Sequence, residues 1–179
     1  MIPADYINCI EMAYVSDEEF NEKFPLRAKR DEHEGNDDFY KKFTAEEIVD
    51  MYVKQARTAW KGIQWFIEYA LSEKQDYIIE GYQIPPEEVA KMKDANIKVI
   101  YLYKENTEEI LKGIKMGNPE EDWSLQHTKD EETLPRIAQM VSVFGKRVRE
   151  ESEKYKLSAF NTEMNFKEQI TNILEGLMK

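Results

Sequence analysis

At 179 residues, 41% of them hydrophobic, the chain is long enough for one domain that buries roughly 70% of its unfolded surface, and its mean hydropathy of -0.71 leaves no run near the ~20 apolar residues of a membrane helix. A net charge of -11 excludes general affinity for nucleic acid or for an anionic membrane, since both need a basic footprint; an anionic ligand binds only where the few bases are focused. The single cysteine, Cys9, excludes an internal disulfide, and with no basic-then-apolar leader a cytoplasmic location is expected.

Pro3 to Val15 carries Tyr6, Ile7, Cys9, Ile10, Met12, Tyr14 and Val15, a pattern compatible with a strand or a short helix. The apolar context of Cys9 is that of a buried structural thiol rather than a nucleophile. Ser16 to Asp38 reads as a charged connector. Its acidic run with His33 fits neither the calcium-loop nor a zinc spacing. Its basic cluster Arg27-Ala28-Lys29-Arg30 suits either a phosphate or the acidic neighbours beside it.

Thr44, with Glu47 three residues on, forms a capping box that opens the longest helix. Ile48, Tyr52, Ala56, Ala59, Ile63, Phe66 and Ala70 recur at helical spacing, so Thr44 to Ser72 spans about 43 Å. Trp60, Trp65 and Phe66 on this helix are expected in the core. Asp76 to Tyr82 then reads as a short buried strand that delivers Glu80, followed by Gly81, to its C-terminal edge. Ligands of alternating strand–helix folds bind at that edge.

Pro85-Pro86-Glu87-Glu88 opens a short helix ending near Asn96. Ile97 to Tyr103 is the clearest strand, and Asn106 or Thr107 caps a helix that stops at Gly117-Asn118-Pro119. Residues 118–132, polar but containing Trp123 and His127, suit a flap or a plain surface loop. Thr133 precedes a long helix with the stripe Ile137, Met140, Val141, Phe144, Val148 and Tyr155, its other face bearing Arg136, Lys146, Arg147 and Arg149. Leu157 to Asn161 supplies a last strand, and Asn165 with Glu168 begins a closing helix through Ile170, Ile173, Leu174 and Leu177.

The alternation predicts an α/β fold, a three-layer parallel sheet with flanking helices. Ile78-Ile79-Glu80-Gly81 with Pro85-Pro86, then Lys98 to Tyr103, then Thr107-Glu108-Glu109-Ile110 resemble the second half of small P-loop kinases of the adenylate-kinase-like and 2-phosphoglycerate-kinase-like group. Glu153 to Thr162 is similar to that group's last helix and strand. The resemblance covers roughly residues 44–177. It implies an ATP-dependent phosphotransferase acting on a nucleotide or small molecule, with ATP and Mg²⁺ as cofactors and Glu80 orienting Mg²⁺ through water. It also implies Arg136 and Arg147 as catalytic residues whose positive charge stabilises the transferring phosphoryl group, and Gly81, Lys112, Lys115, Asn161 and Thr162 as cofactor-binding residues.

The departure from that pattern is the phosphate-cradling Gly-x-x-x-x-Gly-Lys-Ser/Thr loop. The only Gly-Lys pair, Gly145-Lys146, continues into Arg147 inside an amphipathic helix. The P-loop-like sheet is therefore expected to lack its first strand and phosphate loop. Three explanations are open: a start upstream of Met1, which is favoured, a segment such as Tyr6 to Val15 filling the gap, or a degenerate relative. The chain as given is expected to bind Mg-ATP weakly or not at all. The alternative is a non-catalytic acidic α/β protein-interaction module, and a homodimer is compatible with either.

Overall fold

The computed structural model describes residues 1–92 and 94–177. The elements run β1 (Ile2–Pro3), α1 (Ala4–Met12), α2 (Asp17–Lys23), α3 (Pro25–Asp31), α4 (Asn36–Lys42), α5 (Ala45–Ser72), β2 (Ile79–Glu80), α6 (Pro86–Val89), β3 (Ile100–Tyr103), α7 (Thr107–Lys115), α8 (Trp123–Gln126), α9 (Thr133–Tyr155), β4 (Ser158–Asn161) and α10 (Phe166–Leu177).

The long helix α5 forms where its cap and stripe place it. Thr44 Oγ1 accepts the Glu47 amide at 3.2 Å and the Glu47 carboxylate accepts the Thr44 amide at 2.8 Å, so two end groups are satisfied reciprocally. Its two halves serve two cores. Ile48 and Val49 pack with Leu26, Phe39, Tyr40, Leu134, Ile137 and Met140, which joins α3, α4 and α9 to its N-terminal half. Trp60 and Ile63 pack with Ala4 and Val89, which brings α1 and α6 to its C-terminal half.

The expected three-layer parallel sheet is not formed. The chain is 62% helical, and its described strands make two separate parallel pairs: β1 with β2, in register Ile2↔Ile79 and Pro3↔Glu80, and β3 with β4, in register from Ile100↔Ser158 to Tyr103↔Asn161. The physical reason lies in the strands themselves. A sheet covered on both faces needs near-continuous apolar runs, whereas Tyr77 and Ile78 stand exposed and only Ile79 and Glu80 of the Asp76–Tyr82 run enter a ladder. A first strand does exist, at Ile2–Pro3, while Tyr6 to Val15, the segment open to filling that place, is helical as far as Met12.

Other expectations change for local reasons. The charged connector folds into α2, α3 and α4. Ser16 and Glu19 form a second capping box, Pro25 sits in the first turn of α3, and Phe24, Leu26 and Ala28, scattered among the charges, are buried. Cys9 is exposed, because α1 turns Ala4 and Asn8 inward and leaves the intervening side outside. Trp60 is core but Trp65 is not. The helix from Pro86 stops at Val89, and Lys93 within the expected longer helix lies outside the described residues, as does the Leu177 side chain. Among the described residues no helix is long and apolar enough to cross a membrane.

Candidate functional site

The C-terminal edge of the β1–β2 pair is where chemistry-bearing side chains collect. Pairing places Pro3 beside Glu80, so α1, which starts at Ala4, meets the turn Gly81-Tyr82-Gln83. Gly81 has φ +150, and a Cβ there would lie 2.5 Å from Gln83 Oε1 and 2.8 Å from Ala4 Cβ; glycine is required by both conformation and space. Glu80 is exposed and makes no hydrogen bond or ion pair among the described residues. Gln83 is fully buried. Its Nε2 donates to Asp5 Oδ1 at 2.5 Å, while its Oε1 has no partner. Asp5 and Glu80 therefore flank one turn with an unused amide oxygen beside them.

A row of tyrosines leads from these carboxylates to a base. Tyr82 packs edge-on against Tyr52, with ring centroids 4.7 Å apart, and its hydroxyl accepts from Gln55 Nε2 at 2.7 Å. Gln55 Oε1 accepts the Arg27 amide at 3.2 Å, tying the turn to α3. Burial first, and next the nearby Tyr52 hydroxyl in the case of Tyr40 and Tyr82, raises the hydroxyls of Tyr40, Tyr52 and Tyr82 above the ordinary range. The field of Asp5 at Tyr52 and Tyr82 adds to the rise, and that of Arg30 opposes it. All three phenols stay protonated at neutral pH, and each has an O–H left to donate.

Arg30 ends the row. Its guanidinium lies 5.4 Å from the Phe39 ring centroid, 6.0 Å from that of Tyr52 and 5.0 Å from that of Trp123, and Nη2 donates to Tyr52 at 3.2 Å and Tyr40 at 3.4 Å. Nε is buried without a partner. The cluster Arg27 to Arg30 thus splits. Arg27 pairs with Asp31 at 2.9 Å and Lys29 with Glu32 at 2.6 Å, while Arg30 turns inward to an aromatic cage and meets no carboxylate among the described residues. An aromatic cage attracts a cation, but it leaves the guanidinium's Nε–H donor unmatched, and an unpaired buried donor costs free energy.

The segment 118–132 carries α8 and holds Trp123 against Arg30. Asp37 anchors it: its carboxylate accepts the amides of Lys129 at 2.9 Å and Asp130 at 3.2 Å and the Thr133 hydroxyl at 2.7 Å. Asn36 Nδ2 donates to Thr128 Oγ1 at 3.2 Å. Burial alone would raise the Asp37 carboxyl, but the bonds from Thr133, Lys129 and Asp130 hold it below the usual carboxylate range.

The other residues that sequence points to are not gathered here. Arg147 pairs with Asp50 at 2.7 Å and Glu151 at 3.2 Å, and Lys112 lies 3.7 Å from Glu109. Lys115 is exposed on α7. Arg136 is exposed on α9 beside a hollow of about 260 Å³ that Tyr40, Phe43, Thr44 and Gln139 also line. Gly145 and Lys146 lie within α9, where a Cβ on Gly145 would collide with the Lys104 carbonyl. At the β3–β4 edge, Thr162 donates through its amide and hydroxyl to the Tyr103 carbonyl at 3.0 and 3.3 Å. Asn161 Oδ1 accepts the Glu163 amide at 2.8 Å, and Glu163 itself takes the amides of Glu105 and Asn106 at 2.6 and 2.7 Å. That edge is closed by the protein's own carboxylate, whereas the edge at Glu80 is open.

The ATP and Mg²⁺ implied by the resemblance fit unequally. β1 passes into α1 with no intervening loop and with no side-chain cap at Pro3, so the residues present form no cradle for a triphosphate. A hard cation fits better, because magnesium is commonly held by one or two carboxylates, waters and substrate phosphates, and the exposed carboxylates of Asp5 and Glu80 offer oxygen donors. No group of three or more His, Cys, Asp or Glu residues is gathered among the described residues. Sequence reasoning singled out Glu80 and Gly81 but missed Asp5, Gln83 and the separate role of Arg30. The one available signal for Arg30 was the basic cluster. In comparisons with family models, with characterised proteins and with solved structures, nothing matches this chain.

Proposed function

We propose that the chain binds a phosphorylated small molecule or nucleotide together with a divalent cation at the open edge of β1 and β2, and that it does not by itself transfer phosphate from ATP. The observation that carries this is Arg30, a caged guanidinium with a buried, unmatched Nε and no carboxylate partner. Arginine's planar fork suits phosphate oxygens, and the nearby phenols add neutral donors. On a chain of charge -11, with Asp5 and Glu80 at the same edge, a bare anion is repelled. An anion that arrives with Mg²⁺ would serve both ends of the row: Asp5 and Glu80 would hold the metal through water, and Arg30 would face the phosphate.

Calorimetric titration with adenosine monophosphate and with inorganic phosphate, each with and without Mg²⁺, tests this. Saturable, Mg²⁺-dependent binding is expected. Arg30→Met should weaken it roughly 10- to 100-fold, the worth of a charge-assisted hydrogen bond, and Glu80→Gln should remove the Mg²⁺ dependence. Lys112→Ala and Lys115→Ala should leave binding unchanged. Absence of binding for both probes at millimolar concentration, or binding indifferent to Arg30→Met, overturns the proposal. A second reading, a non-catalytic interaction module, is favoured by one observation of its own, the exposed aromatic side chains of α1 and α5.

A further inference from the structure

Tyr6, Ile10 and Tyr14 stand 66%, 61% and 86% exposed. They recur every four residues, so on α1 and the turn that ends it they share one side. Trp65 and Tyr69, 66% and 57% exposed, do the same on α5. The two helices cross at Gly62, whose amide donates to Glu11 Oε1 at 3.1 Å and which leaves no room for a side chain between Ile7 and Glu11. Ala4 of α1 and Trp60 and Ile63 of α5 are buried in one core, so the two exposed rows lie on the side of the helix pair away from it.

The amount of apolar surface is the informative quantity. At ~200 Å² per aromatic side chain, the four rings leave on the order of 550 Å² uncovered. That is near the upper end of the largest patch on a typical monomer, ~300–600 Å². It also matches what one subunit needs for a homodimer of standard size, about 65% of ~800 Å².

We infer that this face is a two-fold interface between two copies of the chain, centred on Trp65. With that axis perpendicular to α5, the α5 helices of the two copies run antiparallel. Position 61 of one copy then lies beside position 69 of the other. Lys61 of one copy then lies one position from Glu68 of the other, both exposed, and that contact occurs twice, as an isologous interface requires. The aromatic rows fill the centre, and these charge pairs lie at the rim.

Two copies of charge -11 repel, so association should tighten as salt rises from roughly 0.05 to 0.5 M and the Debye length shrinks. A basic partner on the same face would be weakened by that change. Sedimentation velocity up to roughly 100 µM, where a micromolar interface is fully occupied, reads the result directly. The wild type should sediment as a dimer in high salt. Trp65→Ser and Tyr14→Ser, both at exposed positions, should give monomers with unchanged circular dichroism. Lys61→Glu should weaken the dimer, and Lys61→Glu combined with Glu68→Lys should restore it. A wild type monomeric throughout this range, dimers that survive both aromatic substitutions, or association that weakens with salt would each overturn the inference.

Discussion

Gly81 and Arg30 show how single positions set the candidate site. At Gly81, φ +150 and the approach of Gln83 and Ala4 leave no space for a methyl group. Gly81→Ala should therefore cost about 2 kcal/mol, read as a lower urea midpoint, and should disturb the edge that presents Glu80. Glu11 makes a contrasting case. Burial raises its carboxyl above the usual range, against the lowering effect of the Gly62 amide bond, and Oε2 is left without a partner. The raised folded-state pKa means that the unfolded chain ionises first. Stability from this group is fully present below the ordinary carboxylate pKa and is lost as pH rises through the folded value. Glu11→Gln keeps an acceptor for Gly62, so it should raise the urea midpoint at pH 7, with the gain fading towards pH 4. A gain that grew on acidification would contradict the assignment.

At the scale of elements, two carboxylates act as latches. Asp37 ties α4 to the start of α9, and Glu163 closes the turn after β3. Hydrogen bonds from the Glu105 and Asn106 amides hold Glu163 below its ordinary range, as those from Thr133, Lys129 and Asp130 do for Asp37. A depressed folded-state pKa contributes stability above the unfolded value and loses it as pH falls through the folded one. Asp37→Asn and Glu163→Gln should each lower stability at pH 7 and flatten the fall in stability below about pH 4. Because Asp37 also positions the segment that carries Trp123, Asp37→Asn should weaken ligand binding at Arg30, whereas Glu163→Gln should not. The long helices were legible because their signals are local. The Thr44–Glu47 capping box and the stripe of α5 occur as the spacing predicts, and so does the cap at Asn106. The latches were not legible, because Asp37 and its partners lie more than ninety positions apart.

Across the whole molecule, alternation of strand-like and helix-like segments suggested a continuous parallel sheet, and the chain instead forms two parallel pairs within a helical body. Runs such as Asp76 to Tyr82 have strand composition, yet sheet formation depends on cover from both faces, which a linear pattern does not report. Helices in 16–42 were hidden for the opposite reason: their few apolar residues, Phe24, Leu26, Phe39 and Tyr40, are wholly buried but diluted by charge. The site was legible in part. Glu80 and Gly81 were placed at a strand edge, while Arg30 could not be told from its neighbours, since only the fold turns one base of the cluster inward. Net charge is a property of the molecule as a whole. A chain at -11 repels itself, and added salt up to roughly 0.5 M should raise the urea midpoint; a fall would mean that surface ion pairs outweigh the repulsion.

On the function proposed above, Arg30, inside its aromatic cage, receives a phosphate delivered with a divalent cation. The most direct measurement follows the Nε–H resonance of Arg30 in nitrogen-15-labelled protein during titration with adenosine monophosphate and Mg²⁺. A saturable shift of that resonance, lost when Mg²⁺ is omitted, is expected. A resonance that stays fixed up to roughly 10 mM ligand, beyond which affinity carries no specificity, would contradict it.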